Sequence, residues 1–193
     1  MQLEPVVLEN RFVRLKPMTE AHREDFRAAC AADPATWNEL YPYSMLGEAF
    51  EAGWARIYAA PAADRINFAV TVGGRCVGSS SYLRIDRANA TVEIGGTYYH
   101  PDYRGGPTNP AAKRLLMGDA FDRGAQRVQF RVDATNARSR AAVTKLGASL
   151  EGIMRRDMKV WTGRIRDTAV FSVIDEEWPA VRDRLDARLA TFG

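Results

Sequence analysis

YYHPDYRGGPTNPAAKRLLMGDAFDR, residues Tyr98 to Arg123, reads as the end of a strand, a tight loop and a helix. Asn109 is a good N-cap type and Pro110 a favoured first helical residue, so the spacing predicts a helix from there. Ala112, Leu115, Leu116, Ala120 and Phe121 then recur at helical spacing, and Gly124 sits where a C-terminal cap glycine belongs. A helix start presents N–H groups without intrahelical partners and a partial positive charge. Glycines just ahead of it let an anion come close, and phosphate is the usual one. The predicted cradle comprises Arg104, Gly105, Gly106, Thr108 and Asn109, the N–H groups from Ala111 to Lys113, and the positive charges of Arg104 and Lys113.

Upstream, the hydrophobic period is two. Ile66, Phe68, Val70 and Val72 alternate, Gly73-Gly74 is a two-residue hairpin signal, and strands over Cys76–Ile85 and Ala90–Tyr99 follow. Gly95-Gly96 inside the last of these predicts a bulge or a close backbone approach. Nearer the start, a short strand over Phe12–Leu15 is stopped by Pro17, and Thr19 caps a helix over residues 20–32 with Phe26, Ala29 and Cys30 on one face. Residues 34–46 read as an aromatic loop, either a lid packed on the core or one wall of an acceptor pocket. Phe50, Trp54, Ile57 and Tyr58 mark a second helix closed by Pro61.

Downstream, Val128, Phe130 and Val132 alternate in a strand, Asp133-Ala134-Thr135-Asn136 leads into a helix over 137–146, and Gly147 caps it. Ala148–Lys159 and Ile165–Ile174 form a hairpin around Thr162-Gly163, and a helix from Asp175 to the end carries Val181, Leu185 and Leu189 on one face. No internal repeat or linker interrupts this order. The 193 residues are read as one mixed α/β domain around a single sheet.

The bulk numbers exclude several classes. Apolar residues make up 46% and charged residues 26%, as in an ordinary globular protein. The net charge is +3 without any Lys/Arg block, which does not imply nucleic acid. Two cysteines, Cys30 and Cys76, form no disulfide framework, and no His/Cys/Asp cluster has metal-ligand spacing. No apolar run is long enough to span a membrane and the first residues have no signal-like core, so no membrane partner is expected and a cytoplasmic location is the default. The loop at Gly105-Gly106 matches neither the phosphate-binding loop of nucleotidases nor the dinucleotide fingerprint.

Three stretches resemble the GNAT superfamily of acyl-CoA-dependent N-acyltransferases, in its RimJ/RimL-like branch. They are Pro101-Asp102-Tyr103-Arg104-Gly105-Gly106 with Ala111-Ala112-Lys113; Val132 to Ala142 ending at Leu146-Gly147-Ala148; and Glu151-Gly152 with Arg155-Arg156, Gly163 to Thr168 and Phe171 to Ile174. The resemblance implies a twisted, largely antiparallel sheet flanked by helices and splayed beside the central helix, with acetyl-CoA or another acyl-CoA in the cleft. It places the pyrophosphate on residues 104–109 and the helix start. The backbone near Gly95–Tyr99 (Thr97, Tyr98 and Tyr99) would pair with the pantetheine arm and polarise the thioester. Asn136 would hydrogen-bond the pantetheine, and Ser139 or Arg140 would approach the thiol or the nucleotide end. A homodimer is implied by family analogy alone. The chain departs from the family loop at Pro107, which stands where a glycine is usual and has no N–H to give. The cradle is therefore read as rearranged.

Acyl transfer to an amine requires a base for the amine, donors for the developing oxyanion and a proton for the leaving thiolate. Glu93 is the candidate base, or else a solvated strand residue. Ser139 is the candidate donor to the thiolate, or else a first-turn helix serine, with Tyr98 or Tyr99 as alternative acids. Arg155, Arg156, Arg164 and Arg166 concentrate charge on the late hairpin; a solvated face is the simpler reading, and an acidic substrate or the coenzyme's 3′-phosphate the sharper one. The function expected is acetyl transfer from acetyl-CoA to a primary amine, at a protein N-terminus or on a small molecule, with no metal. A non-catalytic acyl-CoA-binding or sensor protein is the alternative, and a partner-binding domain that has lost the ligand is a third reading.

Overall fold

The computed structural model describes residues 1–59 and 63–193; the predicted helix stop at Pro61 lies outside the described residues. Among the described residues eight strands form one sheet: β1 (Leu8–Glu9), β2 (Arg14–Pro17), β3 (Ile66–Val72), β4 (Arg75–Asp86), β5 (Thr91–Tyr99), β6 (Arg127–Asp133), β7 (Ser149–Lys159) and β8 (Ile165–Ile174). Their spatial order is β1-β2-β3-β4-β5-β6-β8-β7. Every neighbouring pair is antiparallel except β5 and β6. The helices are α1 (Arg23–Ala31), α2 (Pro34–Glu39), α3 (Ala49–Trp54), α4 (Thr108–Asp122), α5 (Ala137–Leu146) and α6 (Trp178–Ala190).

The period of two in the strands sorts the core into two faces. Phe68, Val70, Val77 and Tyr99 pack in one cluster with Ala111, Ala112, Leu116 and Met117 of α4 and Val181 and Leu185 of α6. Their neighbours Ala69, Cys76 and Tyr98 join the opposite cluster, with Phe26 of α1, Trp37 of α2 and Phe50 and Trp54 of α3. Tyr98 and Tyr99, adjacent in sequence, therefore belong to opposite sides of the sheet. Among the described residues no helix is long and apolar enough to cross a membrane.

Turn chemistry behaves as its residues dictate. Gly73 and Gly74 both have positive φ, 57° and 85°, as a two-residue hairpin of that type requires. At Gly95-Gly96 one residue of β4 between Ser79 and Ser81 opposes two of β5, Gly96 and Thr97, and Gly96 has φ 56°. The predicted bulge is there, and it absorbs the extra residue.

Several predicted boundaries move: β2 runs Arg14–Pro17 and so includes the proline expected to stop it, and α1 and α6 are shorter than expected. Residues 34–39 are the helix α2, where a loop was expected. Asp33 caps it by accepting from the Thr36 N–H at 3.2 Å, with Pro34 in its first turn. The central helix begins at Thr108, one residue ahead of the expected cap Asn109. Pro107 holds the cap position at φ −73°, a value its ring favours, and its carbonyl accepts from the Ala111 N–H at 2.9 Å. Pro110 falls in the first turn, where a missing N–H breaks no helical bond.

Gly78 marks the tightest crossing of β4 and β5: a Cβ there would lie 2.0 Å from the Tyr98 carbonyl oxygen and 2.9 Å from Tyr99 Cα. Gly78→Ala should destabilise by about 3 kcal/mol, the upper end of overpacking effects. Urea unfolding measures this, and a loss below about 1 kcal/mol would show that the two strands separate without strain.

Candidate active site

Parallel pairing of β5 with β6 covers only Thr91–Arg127, Val92–Val128 and Glu93–Gln129. Beyond Glu93 the strands part, and a cavity of about 830 Å³ opens between Ile94–Tyr99 on one side and Phe130–Asp133 on the other. The same cavity is lined by Arg104, Gly105, Asn109 and Lys113 at the α4 end and by Asn136 and Ser139 of α5. The aromatic stretch contributes Leu40, Tyr41 and Tyr43 to the cavity wall, while Trp37 and Met45 are core.

Glu93 lies inside this cavity, only 6% exposed. Burial raises its proton affinity, and the surrounding Arg84, Arg131, Arg166 and Arg65 pull the other way without cancelling the rise. Arg84 Nε stands 3.1 Å and Arg131 Nε 3.9 Å from Glu93 Oε2, which accepts no hydrogen bond. A buried carboxylate of raised proton affinity that lines a cavity suits a general base.

Gly105 has φ 80°, and a Cβ on Gly105 or Gly106 would meet nothing within 4 Å. Arg104 donates from Nε to the Tyr99 carbonyl at 2.7 Å and from Nη1 to Asp33 at 2.5 Å, while its buried Nη2 has no partner among the described residues. Burial pushes Asp33 up, but hydrogen bonds from Thr36 and Arg104 outweigh it and hold Asp33 down to about 2. The cradle differs in detail from the expected one. Ala111 gives its N–H to Pro107 and is fully buried, so it supplies no free donor. Thr108 and Asn109, at the first two helical positions, keep the N–H groups that no helical carbonyl reaches. Gly106, Thr108 and Ala111 do not line the cavity itself.

Lys113 is the largest change from the sequence reading. It is 4% exposed and lies beneath the β5 bulge, away from the cradle surface. Its Nζ donates to Ser80 Oγ at 2.8 Å and to Thr97 Oγ1 at 2.5 Å. Thr97 is held again at its carbonyl by the Tyr41 hydroxyl.

On α5, Asn136 Oδ1 accepts from the Ser139 N–H at 2.9 Å, which leaves the Asn136 amide N–H₂ and the Ser139 hydroxyl for other partners. Arg140 lies off the cavity and donates to the Ala134 carbonyl at 3.2 Å, where it braces the β6–α5 turn. The Tyr98 hydroxyl is taken by the Ala29 carbonyl at 2.8 Å. The Tyr99 hydroxyl is buried without a partner, and burial pushes its pKa up, so it stays a proton donor. Arg155 and Arg156 are exposed, but Arg166 is buried and lines the cavity. The solvated reading of the hairpin arginines fails at Arg166, because the alternation along β8 turns that side chain inward.

An Acetyltransferase (GNAT) domain model matches residues 13–149. The match covers well over half of the chain, and the chain belongs to the GNAT family; it is an acyltransferase. The crystal structure of a GCN5-related N-acetyltransferase from Brucella melitensis is 33% identical, with 97% of this chain and 86% of that one covered and a TM-score of 0.90. RimJ of Mycobacterium smegmatis, solved with CoA-disulfide, is 21% identical, with 95% of each chain covered and a TM-score of 0.82. An acetyltransferase from Salmonella typhimurium that modifies the N-terminal serine of ribosomal protein L7/L12 is 16% identical, with 88% of this chain and 99% of that one covered and a TM-score of 0.75. The last two likenesses are of fold. No curated protein sequence matches this one.

Burial alone lowers Lys113 from an ordinary 10.5 to about 7. Between those values the unfolded chain binds more protons than the folded one, so this group makes stability rise with pH, by up to about 1.4 kcal/mol per pH unit. Lys113→Met removes the ammonium and leaves Ser80 and Thr97 bonded to each other at 2.9 Å. Relative to the parent, the variant should be most stable near pH 7 and lose its margin towards about pH 10. Denaturant curves across that range test it, and parallel pH profiles would refute it.

Proposed function

We propose that the chain transfers the acetyl group of acetyl-CoA to a primary amine, at a protein N-terminus or on a small molecule, as a RimJ/RimL-like enzyme. One observation carries this reading: the parting of β5 from β6 opens a single cavity with an anion-receiving helix start at one end and a buried carboxylate, Glu93, at the other. The fit to acyl-CoA rests on Arg104 Nη2, which is buried without a partner beside a glycine turn open on its outer side. Arg104, Gly105, Gly106, Thr108 and Asn109 hold the pyrophosphate. The strand edge of β5 beyond Glu93 takes the pantetheine, with the Asn136 amide opposite. When bound, acetyl-CoA supplies an activated acyl carbon and a thiolate leaving group.

Glu93 takes the proton of the attacking ammonium or amine, directly or through a water. Backbone N–H groups around the Gly96–Thr97 bulge receive the developing oxyanion, and Lys113 and Ser80 fix that bulge by holding Thr97. The new C–N bond forms as the C–S bond breaks, and the thiolate receives a proton from Ser139 or Tyr99. Tyr98 is not available for that step, because its hydroxyl is spent on Ala29.

Thermal unfolding with acetyl-CoA, and with CoA alone, tests the first half. A ligand at 100 times its dissociation constant stabilises by about 2.7 kcal/mol, several degrees for a chain of this size. Glu93→Gln should keep that shift and lose about 10²–10⁴-fold in kcat with an accepted amine. The parent rate should rise with pH through a pKa above the usual carboxylate range. No shift with either compound would sink the reading; a shift with no turnover of any amine would leave a binding protein.

A further inference from the structure

The geometry points to an acceptor that is an anionic amine: a small molecule or chain end whose carboxylate is held by Arg166 and Arg65 while its amino group faces Glu93. The inference rests on the acetyl-transfer reading and names the class of acceptor.

Arg166 is 6% exposed, yet no carboxylate lies within ion-pair distance among the described residues. Its Nε donates to Thr168 Oγ1 at 3.0 Å and its Nη2 to the Arg131 carbonyl at 3.3 Å, and it lines the cavity. Asp133, Asp157 and Glu93 act on its charge from beyond ion-pair distance; a buried guanidinium with no carboxylate in direct contact is costly, and a planar fork lining a cavity matches a carboxylate. The neighbouring arginines are already engaged. Arg131 gives Nη2 to both oxygens of Asp157, at 2.9 and 2.7 Å, and Arg84 pairs with Glu93. Arg65, half-buried on the cavity wall, has no ion-pair partner among the described residues, and both Arg65 and Arg166 act on the charge of Glu93. One small acceptor can therefore span the guanidiniums and the base.

These cations are not the seat of the coenzyme's pyrophosphate. Six residue steps along β5 separate Glu93 from Tyr99, whose carbonyl accepts from Arg104 of the glycine turn. At about 3.3 Å per residue that is about 20 Å. The cavity thus has two separate anion-receiving ends, and the one beside the base belongs to the acceptor.

The test is CoA-thiol release by the full chain at saturating acetyl-CoA, with matched acceptors: glutamate and alanine against their amides, and peptides beginning with Glu against Gln. The acids should exceed the amides at least tenfold in kcat/KM; a preference confined to the peptides identifies a chain end, and one confined to free amino acids a small molecule. Arg166→Gln, and more weakly Arg65→Gln, should bring the acid-to-amide ratio towards one through KM. Arg65 is half-buried on the wall, so Arg65→Gln keeps the test alive if Arg166→Gln fails to fold. The unfolding temperature of the acetyl-CoA-loaded protein reads the same site without turnover: extra stabilisation by the acid over its amide supports the anion site even if transfer fails. Equal use of acid and amide overturns the inference and leaves acetyl transfer standing. Equal stabilisation with no turnover, or variants that raise the KM for acetyl-CoA alone, also overturn it.

Discussion

Three residue pairs of parallel ladder join the two halves of this sheet, and the site exists because the ladder stops there. β5 is committed to β4 by its antiparallel register, β6 to β8 by seven consecutive pairs from Arg127–Ile174 to Asp133–Thr168. The bulge at Gly96-Thr97 turns β5 further toward β4, so the two blocks diverge. Backbone groups along the parted edges have no strand partner, and buried amides without partners are unfavourable. An extended ligand with its own amides is the economical way to satisfy them. The position of α4 follows from the same divergence, since its first turn closes the wide end of the opening.

Partly buried ion pairs fix the pieces around the opening. Arg104–Asp33 ties the glycine turn to the cap of α2, Arg164–Asp133 ties the late hairpin to the end of β6, and Arg131–Asp157 ties β6 to β7. Pairs of this kind add little net stability over apolar packing, but losing one partner strands a charge. Their contribution here is positional: each links a residue of the cavity wall to one that does not line it.

Much of the fold was legible in local chemistry. Period-two alternation, the Gly73-Gly74 turn, the Gly147 cap at φ 99° and the Gly95-Gly96 irregularity all appear where the residues placed them. Residues 34–46 read as loop from their aromatics, although Asp33-Pro34 is a good cap and first residue for α2. Glu93, Asn136, Ser139 and the glycine turn do share one cavity. What sequence spacing could not convey was the direction of long side chains. Lys113 reads as a cation near a helix start, but five residues into α4 its stem points at the sheet, beneath the bulge. Arg166 reads as one of four hairpin arginines, and only the register of β8 against β6 separates it from the exposed Arg155 and Arg156. Ala111 and Arg140 had plausible roles by position, yet one N–H is spent within the helix and one guanidinium on a turn carbonyl.

Local rules are broken where a site demands it, and the breaches here share a sign. Lys113 and Arg166 are buried and have no carboxylate within ion-pair distance among the described residues, and Glu93 is a buried carboxylate crowded by cations that oppose its rise in proton affinity. A carboxylate so surrounded holds its proton less tightly than its burial alone would make it. An acceptor carboxylate seated on Arg166 and Arg65 would offset part of that positive field, and an opposing field removed is proton affinity gained. Glu93 would then become a stronger base only when an anionic acceptor is in place, so the contact that selects the acceptor would also prepare the group that deprotonates it.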